Sequence, residues 1–360
     1  MAPACFDLNH PRVHSNSEII RERQILVRVC LYNGLIRGPV CKVEIRGTEK
    51  MSGLQIQVVS YLLRRMRKQR RNAGADLAPT VFRNQLNKAA KRETKLPEDA
   101  RVTEVKAGGV PAEWIERSSS RAHRVILYFH GGGYSAGSPK THRLLISKLC
   151  EQAHARALVP DYRLAPEQPF PAAFDDAMAC YRWLLASGID PAGIVLAGDS
   201  AGGGLALAAA MGIRNEGLAQ PGALVLLSPW ADLAQSGRSV VAKADADPFL
   251  DIYDLATFSR SYLDGHIPTD WRASPLYGDF YDLPSILVHA GSNEVLLDDA
   301  VRISSLAEAA GVDVSVEVFD GLMHVFQAFP ISEADASIAR LGSFIRSRTV
   351  LAAVAKTAAQ

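Results

Sequence analysis

The stretch Gly193-Ile-Val-Leu-Ala-Gly198-Asp-Ser200-Ala-Gly202 decides the fold of this chain. Residues 194–197 form an apolar run that is too short for a helix and is bounded by turn residues, so they predict a buried parallel strand. The Ala- and Leu-rich residues after Ser200 predict a helix. Ser200 has a glycine two positions away on either side and lies at a strand-to-helix turn, which is the pattern of a nucleophile elbow. Taken alone, the pattern fits a Gly-rich turn with a capping serine equally well.

A nucleophile at this turn would gain from its geometry. The sharp turn lifts Ser200 above the sheet, and Gly198 and Gly202 carry no side chain that would block it. The N-terminus of the following helix directs free N–H groups and the positive end of its dipole at a developing oxyanion. Other motifs of the chain are needed to distinguish a nucleophilic serine from a helix-capping serine.

Length, composition and cysteine usage indicate an ordinary globular protein. With 360 residues, 48% of them hydrophobic and 22% charged, the chain can bury a large core. Its five cysteines are odd in number and lack metal-ligand spacing, which indicates free thiols in a reducing compartment. There is no transmembrane run, and the first residues lack the basic-then-apolar pattern of a signal peptide. We therefore expect a cytoplasmic protein without stable membrane insertion.

The net charge of +2 hides an asymmetry along the chain. Residues 1–110 carry 21 Lys and Arg against 10 Asp and Glu, whereas the remaining residues carry 19 against 28. No nucleic-acid-binding motif accompanies the basic arm, so we expect no nucleic-acid partner.

The chain before the first core strands predicts an extension and two helices. Residues 1–50 show no sustained helical or alternating pattern. From Met51 onward, apolar residues recur on one helical face, namely Leu54, Val58, Tyr61, Leu62 and Met66. The basic run 64–71 indicates a surface helix with a solvated basic side, and a membrane-surface helix is the alternative. Residues 76–100 predict a second, polar helix that stops near Pro97.

From residue 101 the pattern predicts strands that alternate with helices. Residues 101–106 and 110–117 predict a hairpin of edge strands. Apolar runs predict further strands, the first of them central, at residues 125–129, 157–162, 223–227, 286–290 and 314–319. Helical spacing from Phe174 to Leu185, followed by Gly188, predicts a helix. This alternation predicts an α/β fold with a mostly parallel sheet and helices on both faces.

An insertion between Trp230 and Pro275 interrupts the alternation. Its apolar residues are Phe249, Leu250, Phe258, Tyr262 and Leu263. Ordinary core packing of inserted helices explains them, but an insertion above the strand ends is also placed to cover a pocket.

The loop His130-Gly-Gly-Gly133-Tyr134 follows the 125–129 strand directly. Glycines here let backbone N–H groups point into a cavity, as an oxyanion hole requires. A merely flexible loop is the plainer interpretation, but three glycines at a strand end with a histidine in front are uncommon.

A catalytic base should follow Ser200 and the acid along the chain. His266, His289 and His324 are the histidines that follow Ser200. His289 lies within an apolar strand and His266 within the insertion, whereas His324 lies in the loop after the last strand. We therefore assign the base to His324.

The acid orients the imidazole and should lie just past a strand end. Glu294 is closest to the 286–290 strand, whereas Asp298 and Asp299 already belong to a predicted helix. We favour Glu294, with Asp298 second. The Asp161–Glu167 turn receives a scaffold role and no catalytic one.

These residues together resemble the bacterial hormone-sensitive lipase family of carboxylesterases. The resemblance covers residues 51–347, and its motifs are His130–Gly133, Asp161–Glu167, Gly198–Gly202, Ser228-Pro-Trp230 and the Glu294 and His324 loops. It implies an α/β-hydrolase fold with a helical cap and hydrolysis of short- to medium-chain carboxylic esters. It also implies that no metal or cofactor is needed and that the protein often forms a homodimer.

The resemblance also assigns roles and domain limits. By matching positions, Gly132, Gly133 and Ala201 would supply the oxyanion N–H groups, with His130, Gly131 and Asp199 as supporting motif residues. Asn293 stands where a carboxylate is common in relatives, which strengthens the choice of Glu294. Relatives tend to begin near Met51, so the resemblance implies that residues 1–50 are a dispensable extension. The further expected divisions are N-terminal cap helices (51–100), hydrolase core (101–230), cap insertion (231–275) and hydrolase core (276–350).

Two other functions stay open from the sequence. An amide or N-acetyl hydrolase would use the same triad, because pocket shape chooses the leaving group. A non-catalytic ligand-binding relative of the fold would have lost the catalytic histidine, and the presence of His324 argues against it.

Overall fold

The computed structural model describes residues 25–27, 43–46, 53–92 and 95–349. Eight of its strands form the sheet that the predicted hairpin and the apolar runs indicate. They are β3 (Arg101–Ala107), β4 (Val110–Glu116), β5 (Arg121–Phe129), β6 (Ala155–Pro160), β7 (Ile194–Asp199), β8 (Ala223–Leu227), β9 (Ile286–Gly291) and β10 (Val314–Phe319). Their order is β10-β9-β8-β7-β5-β6-β4-β3, with β5 to β10 parallel and the β3–β4 hairpin antiparallel at one edge. The predicted central strand, β5, lies between β6 and β7.

Two short strands extend the opposite edge of this sheet. They are β1 (Ile25–Val27) and β2 (Val43–Arg46), and β2 pairs in parallel with β10. The sequence contains no signal for them, because a short strand that pairs only with residues far along the chain leaves no local pattern. The expectation that residues 1–50 are dispensable stays a prediction, and most of these residues lie outside the described part of the chain.

Helices cover both faces of the sheet and close a separate core on each. On one face lie α3 (Pro139–Ala153) and α9 (Ser332–Arg348), and on the other lie α4 (Ala172–Ala186), α5 (Ala201–Asn215) and α8 (Leu297–Ala309). The central strands are buried on both sides, which is why their sequences read as continuous apolar runs. The architecture confirms the predicted α/β-hydrolase fold.

Four helices form a cap on the sheet. They are α1 (Gly53–Ala73), α2 (Ala78–Arg92), α6 (Ser239–Ala242) and α7 (Ile252–Leu263). Helix α2, predicted to stop near Pro97, ends five residues before that proline. No helix among the described residues is both long and apolar enough to cross a membrane.

The buried side of α1 differs from the one that the sequence predicts. Val58, Tyr61 and Leu62 are exposed, whereas Leu63 and Arg70 are buried. The expectation of a fully solvated basic side is therefore wrong at Arg70, which is 0% exposed. Arginine can replace an apolar residue here because a fixed carboxylate meets it inside the cap.

Arginines of α1 and α2 hold the cap together. Arg70 Nε donates to Asp254 Oδ1 of α7 at 2.8 Å, and Arg70 Nη2 donates to Asp254 Oδ2 at 2.9 Å. Arg67 Nη1 donates to three carbonyl oxygens of the insertion, those of Ala244, Asp247 and Leu250, at 3.1, 2.6 and 3.1 Å. On α2, Arg83 Nη1 donates to Glu167 Oε1 at 2.7 Å, which ties the Asp161–Glu167 turn to the cap.

Candidate active site

The turn after β7 places Ser200 at the base of a cavity. Ser200 has φ 54° and ψ −122°, and its N–H donates to the Leu227 carbonyl of β8 at 2.9 Å. Helix α5 begins at the next residue. A Cβ on Gly202 would collide with the Phe129 carbonyl, so glycine is required for α5 to pass so close to the end of β5. The turn therefore fixes the hydroxyl from two neighbouring strands.

A continuous line of side chains runs from Ser200 into the protein. His324 Nε2 lies 3.0 Å from Ser200 Oγ, and His324 Nδ1 lies 3.2 Å from Glu294 Oε2. All three side chains are buried. With Nδ1 protonated, the imidazole donates to the carboxylate and accepts from the hydroxyl, which is the hydrogen-bond pattern of a serine-hydrolase triad.

Loops at the ends of β9 and β10 bring the acid and the base to the serine. Asn293 N donates to the Leu322 carbonyl at 2.9 Å, which joins the two loops beside Glu294. Val325 N donates to Ser228 Oγ at 3.0 Å and so fixes the residue after His324. Residues far apart in sequence thus meet at the C-terminal ends of the parallel strands.

The other acid candidates are occupied elsewhere. Asp298 Oδ2 accepts the N–H of Ser239 at 3.1 Å. Asp299 Oδ2 accepts the N–H groups of Ala231 and Asp232, at 2.8 and 3.0 Å, and burial raises its pKa to about 8. Both residues lie in α8, as predicted, and support the start of the cap insertion.

The remaining histidine candidates also lie away from the serine. His289 is buried in β9, where its Nδ1 lies 2.8 Å from Ser337 Oγ. His266 follows α7, and its ring lies 5.2 Å from that of Phe170. The structure therefore brings only His324 of the three to Ser200.

Opposing effects set the protonation of His324. Burial lowers its pKa, but the hydrogen bond and the charge of Glu294 raise it, and the charges of Asp247 and Asp199 add to that rise. The net effect is a pKa above the ordinary 6.5. The Glu294 carboxylate therefore favours the protonated imidazole that would form when the ring accepts a proton from Ser200.

The glycine loop is anchored by Asp199. Gly131 N and the Tyr128 hydroxyl both donate to Asp199 Oδ1, at 3.0 and 2.8 Å. His142 Nε2 lies 3.3 Å from Asp199 Oδ2. Gly133 has φ 61°, a conformation that favours glycine. The sequence placed Asp199 only as a supporting residue, and its part in holding the loop becomes visible once the partners are known.

His130 supports the same loop as a neutral ring. It stacks on Tyr162 with centroids 4.2 Å apart, and the Tyr162 hydroxyl donates to the His130 carbonyl at 2.6 Å. Burial lowers the pKa of His130 to about 3, so the imidazole carries no charge at neutral pH.

A cavity of about 350 Å³ opens above Ser200. Gly131, Gly132 and Gly133 line it beside the serine and His324. Ala201 is buried at the first position of α5, where helix N–H groups have no partner within the helix. Most of the remaining lining is apolar and comes from the cap and its surroundings, including Leu63, Met66, Phe82, Leu86, Trp230, Phe249, Leu250, Leu255 and Phe258.

The apolar residues of the cap insertion serve both roles that the sequence left open, core packing and covering of a pocket. Phe249, Leu250 and Phe258 line the cavity, while Tyr262 and Leu263 pack in the core. In the part of the chain that the structure describes, no group of three or more His, Cys, Asp or Glu side chains is arranged to hold a metal ion.

Comparison with known proteins gives consistent matches. Residues 126–328 match a family model described as alpha/beta hydrolase fold. The chain is 42% identical over 247 residues to an acetyl-hydrolase of Streptomyces hygroscopicus, covering 68% of this chain and 82% of that protein. It is 35% identical over 275 residues to an esterase of Acinetobacter venetianus, covering 76% of this chain and 90% of that protein.

Solved structures agree with these matches. A crystal structure of an esterase from the bacterial hormone-sensitive lipase family superimposes with a TM-score of 0.77 and 40% identity. The superposition covers 84% of this chain and 100% of that one.

Proposed function

Because the chain belongs to the bacterial hormone-sensitive lipase family of α/β-hydrolases and is a carboxylic ester hydrolase, we propose that it cleaves short- to medium-chain esters through Ser200, His324 and Glu294. One observation carries the proposal. The hydroxyl, the imidazole and the carboxylate form a buried hydrogen-bonded line with separations of 3.0 and 3.2 Å.

The proposed chemistry is a two-step acyl transfer. His324, oriented by Glu294, takes the proton of Ser200 as the hydroxyl oxygen attacks the ester carbonyl. The protonated imidazole then gives this proton to the departing alcohol, which leaves an acyl-enzyme. Water repeats the sequence and releases the carboxylic acid.

The tetrahedral intermediate needs donors for its oxyanion. We assign this role to the N–H groups of Gly132, Gly133 and Ala201. The two glycines line the same cavity as Ser200, and Ala201 follows Ser200 at the start of α5. Removal of one such donor typically lowers kcat by about 10²–10³-fold, so the loop is a main contributor to the rate.

The cavity supports a small, mainly apolar substrate. Its volume of about 350 Å³ and its apolar lining suit an acyl chain of a few carbons together with an alcohol. The ionisable side chains of the lining are His142, Lys148, Asp199 and His324.

A hydrolysis series tests both the activity and the chain length. Purified protein and Ser200→Ala are assayed on matched esters whose acyl chains lengthen stepwise. We expect activity to peak on short chains and to vanish in the variant. A preference for long-chain lipids would contradict the small substrate, and activity that survives in Ser200→Ala would contradict the nucleophile.

The name of one relative supports a second candidate activity. That relative is called an acetyl-hydrolase, and removal of acetyl groups from an ester or an amide requires the same chemistry at Ser200. Matched acetyl esters and acetyl amides distinguish the two. Turnover of neither would instead favour a ligand-binding protein of the same fold.

Location, assembly and domain limits stay proposals. A cytoplasmic location rests on the scattered, odd cysteines of the sequence. A homodimer rests on the family resemblance, and light scattering of the purified protein measures it directly. The proposed division into a core (101–230 and 276–350) and a cap (51–100 and 231–275) is supported by the helices that line the cavity.

A further inference from the structure

Asp247 is a buried carboxylate where the cap insertion meets the loop of the acid. It lies between α6 and α7 and is 0% exposed. Its Oδ1 accepts the N–H groups of Phe249 and Leu250 at 2.8 and 3.0 Å. Its Oδ2 accepts the N–H of Val295 at 3.0 Å. One carboxylate thus fixes two separate segments of backbone.

Both segments belong to the site. Val295 directly follows Glu294, so its N–H bond fixes the peptide that carries the acid. Phe249 and Leu250 line the cavity, and the Phe249 ring lies 6.1 Å from the His324 ring. The side chain of Asp247 therefore connects the acid loop with the pocket wall.

Helix α1 joins the same point through the main chain. Arg67 Nη1 donates to the Asp247 carbonyl at 2.6 Å, and Arg67 Nε lies 3.8 Å from Asp251 Oδ2. Three segments that are distant in sequence, namely α1, the insertion and the acid loop, consequently meet at one residue.

We propose that Asp247 is a positioning residue that holds Glu294 in line with His324 and sets the adjacent pocket wall at the same time. The proposal rests on the proposed function of the triad. It couples the position of the cap insertion to the placement of the acid, because the same carboxylate secures both.

The charge of Asp247 also acts on the base. Burial raises the pKa of Asp247, and the charge of His324 with the three N–H donors opposes that rise. In return Asp247 contributes to the raised pKa of His324, after Glu294 and ahead of Asp199. The charged groups around this point are Glu294 of the acid loop, Asp199 of the elbow, Arg67 and Arg70 of α1, and Asp251 and Asp254 of the insertion.

Asp247→Asn is the main test. The amide keeps one acceptor oxygen but turns an NH₂ group toward backbone N–H donors, so either the acid loop or the pocket wall loses its partner. We expect kcat on a short ester to fall by about 10²-fold, since a misplacement of about 1 Å costs that much. Without the negative charge, the pKa of His324 falls, so the rising limb of kcat/KM against pH moves to lower pH.

Asp247→Glu separates charge from position. It keeps the carboxylate but displaces its oxygens, so kcat should fall while the rising limb stays near its original pH. If Asp247→Asn fails to fold, this variant carries the test, and an unchanged kcat would contradict the proposal.

Asp232→Asn is the matched control. Asp232 is also buried and accepts N–H groups of its own loop, from Ala234 and Ser236, but it pairs with Arg302 and not with the acid loop. We expect a lower melting temperature with kcat and pH profile preserved. The same outcome for Asp247→Asn, with kcat expressed per active site titrated by a serine-directed inhibitor, would reduce Asp247 to a structural role. Activity in Ser200→Ala would instead overturn the triad, so the two failures are distinguishable.

Discussion

The floor of the site and its cap are built by different means. On the floor, Ser200 and the glycine loop lie where β7 and β5 end. The Ser200 N–H donates to β8, and the Asp199 carboxylate next to Ser200 accepts from Gly131 of the loop. In the cap, the Arg70–Asp254 pair joins residues 184 positions apart, and carbonyl oxygens of the insertion accept from Arg67. The difference teaches that the residues of the floor stand in turns at strand ends, which the sequence marks locally, whereas the cap is joined by charged side chains whose partners the sequence does not mark.

The largest effect that tests this contrast is expected at the acid. Glu294→Gln removes the charge that orients His324, and we expect kcat to fall by about 10⁴-fold, as loss of the acid from a triad does. Asp298→Asn, at the other favoured candidate, should change kcat less than threefold, because its carboxylate serves Ser239. Steady-state kinetics on one short ester compares the two variants. Equal losses would return the choice of acid to an open question.

A smaller effect is expected where floor and cap touch. A Cβ on Gly133 would lie 2.8 Å from the Phe258 ring of α7, at a φ of 61° that disfavours a side chain. Gly133→Ala should therefore disturb an oxyanion donor and lower kcat by about 10²–10³-fold.

Gly109→Ala is the control for the backbone penalty. Gly109 has φ 93° and open space around its Cβ position in the β3–β4 turn. The Gly109→Ala variant should lose some stability but keep its kcat. If both variants lose activity equally, the contact between Gly133 and the cap has no special importance.

Substitutions in the cap should change the free energy of unfolding more than they change kcat. Arg70→Ala leaves Asp254 buried without its partner, and we expect a loss of about 3–5 kcal/mol in the free energy of unfolding. The double variant Arg70→Ala/Asp254→Ala should recover part of it. Arg71→Ala, at a side chain 69% exposed, should change stability by less than about 0.5 kcal/mol. Chemical denaturation measures these variants together with Asp254→Ala, and a loss in the double variant equal to the sum of the two single losses would mean that the pair is not coupled.

A shorter chain tests whether the floor needs its N-terminal neighbour. A protein that begins at Met51 lacks β1 and β2, and β10 becomes the edge strand because β2 is its neighbour on that side. Since the loop after β10 carries His324, this is the point where removal would be felt. We expect folding and activity within a few-fold of the full chain, and an increased tendency to self-associate at the uncovered edge. Failure to fold would show that the sheet requires these residues.

The floor could be predicted from the sequence because its signals are local. A strand buried on both faces reads as a continuous apolar run, and the elbow and the loop that begins at His130 carry their glycines at fixed positions. Glu294 could be favoured because it stands next to a strand end. The structure brings it, and neither Asp298 nor Asp299, to His324.

The cap could not be predicted in the same way. On α1 the apolar residues Val58, Tyr61 and Leu62 are exposed while Arg70 is buried, so hydropathy pointed to the wrong side. Asp247 carries no signal at all, since its partner Val295 lies 48 positions further along the chain. Contacts of this kind become visible only when the distant segments are folded together.

The backbone conformation of Ser200 links the proposed activity to the thermal stability of the protein. A non-glycine residue at φ 54° and ψ −122° carries strain of about 1–3 kcal/mol, which the surrounding hydrogen bonds sustain. Glycine would relax this conformation, so Ser200→Gly should be inactive and yet melt at a higher temperature than Ser200→Ala, which keeps the strain. With Ser200 as the proposed nucleophile, we expect selection for heat resistance alone to remove the serine.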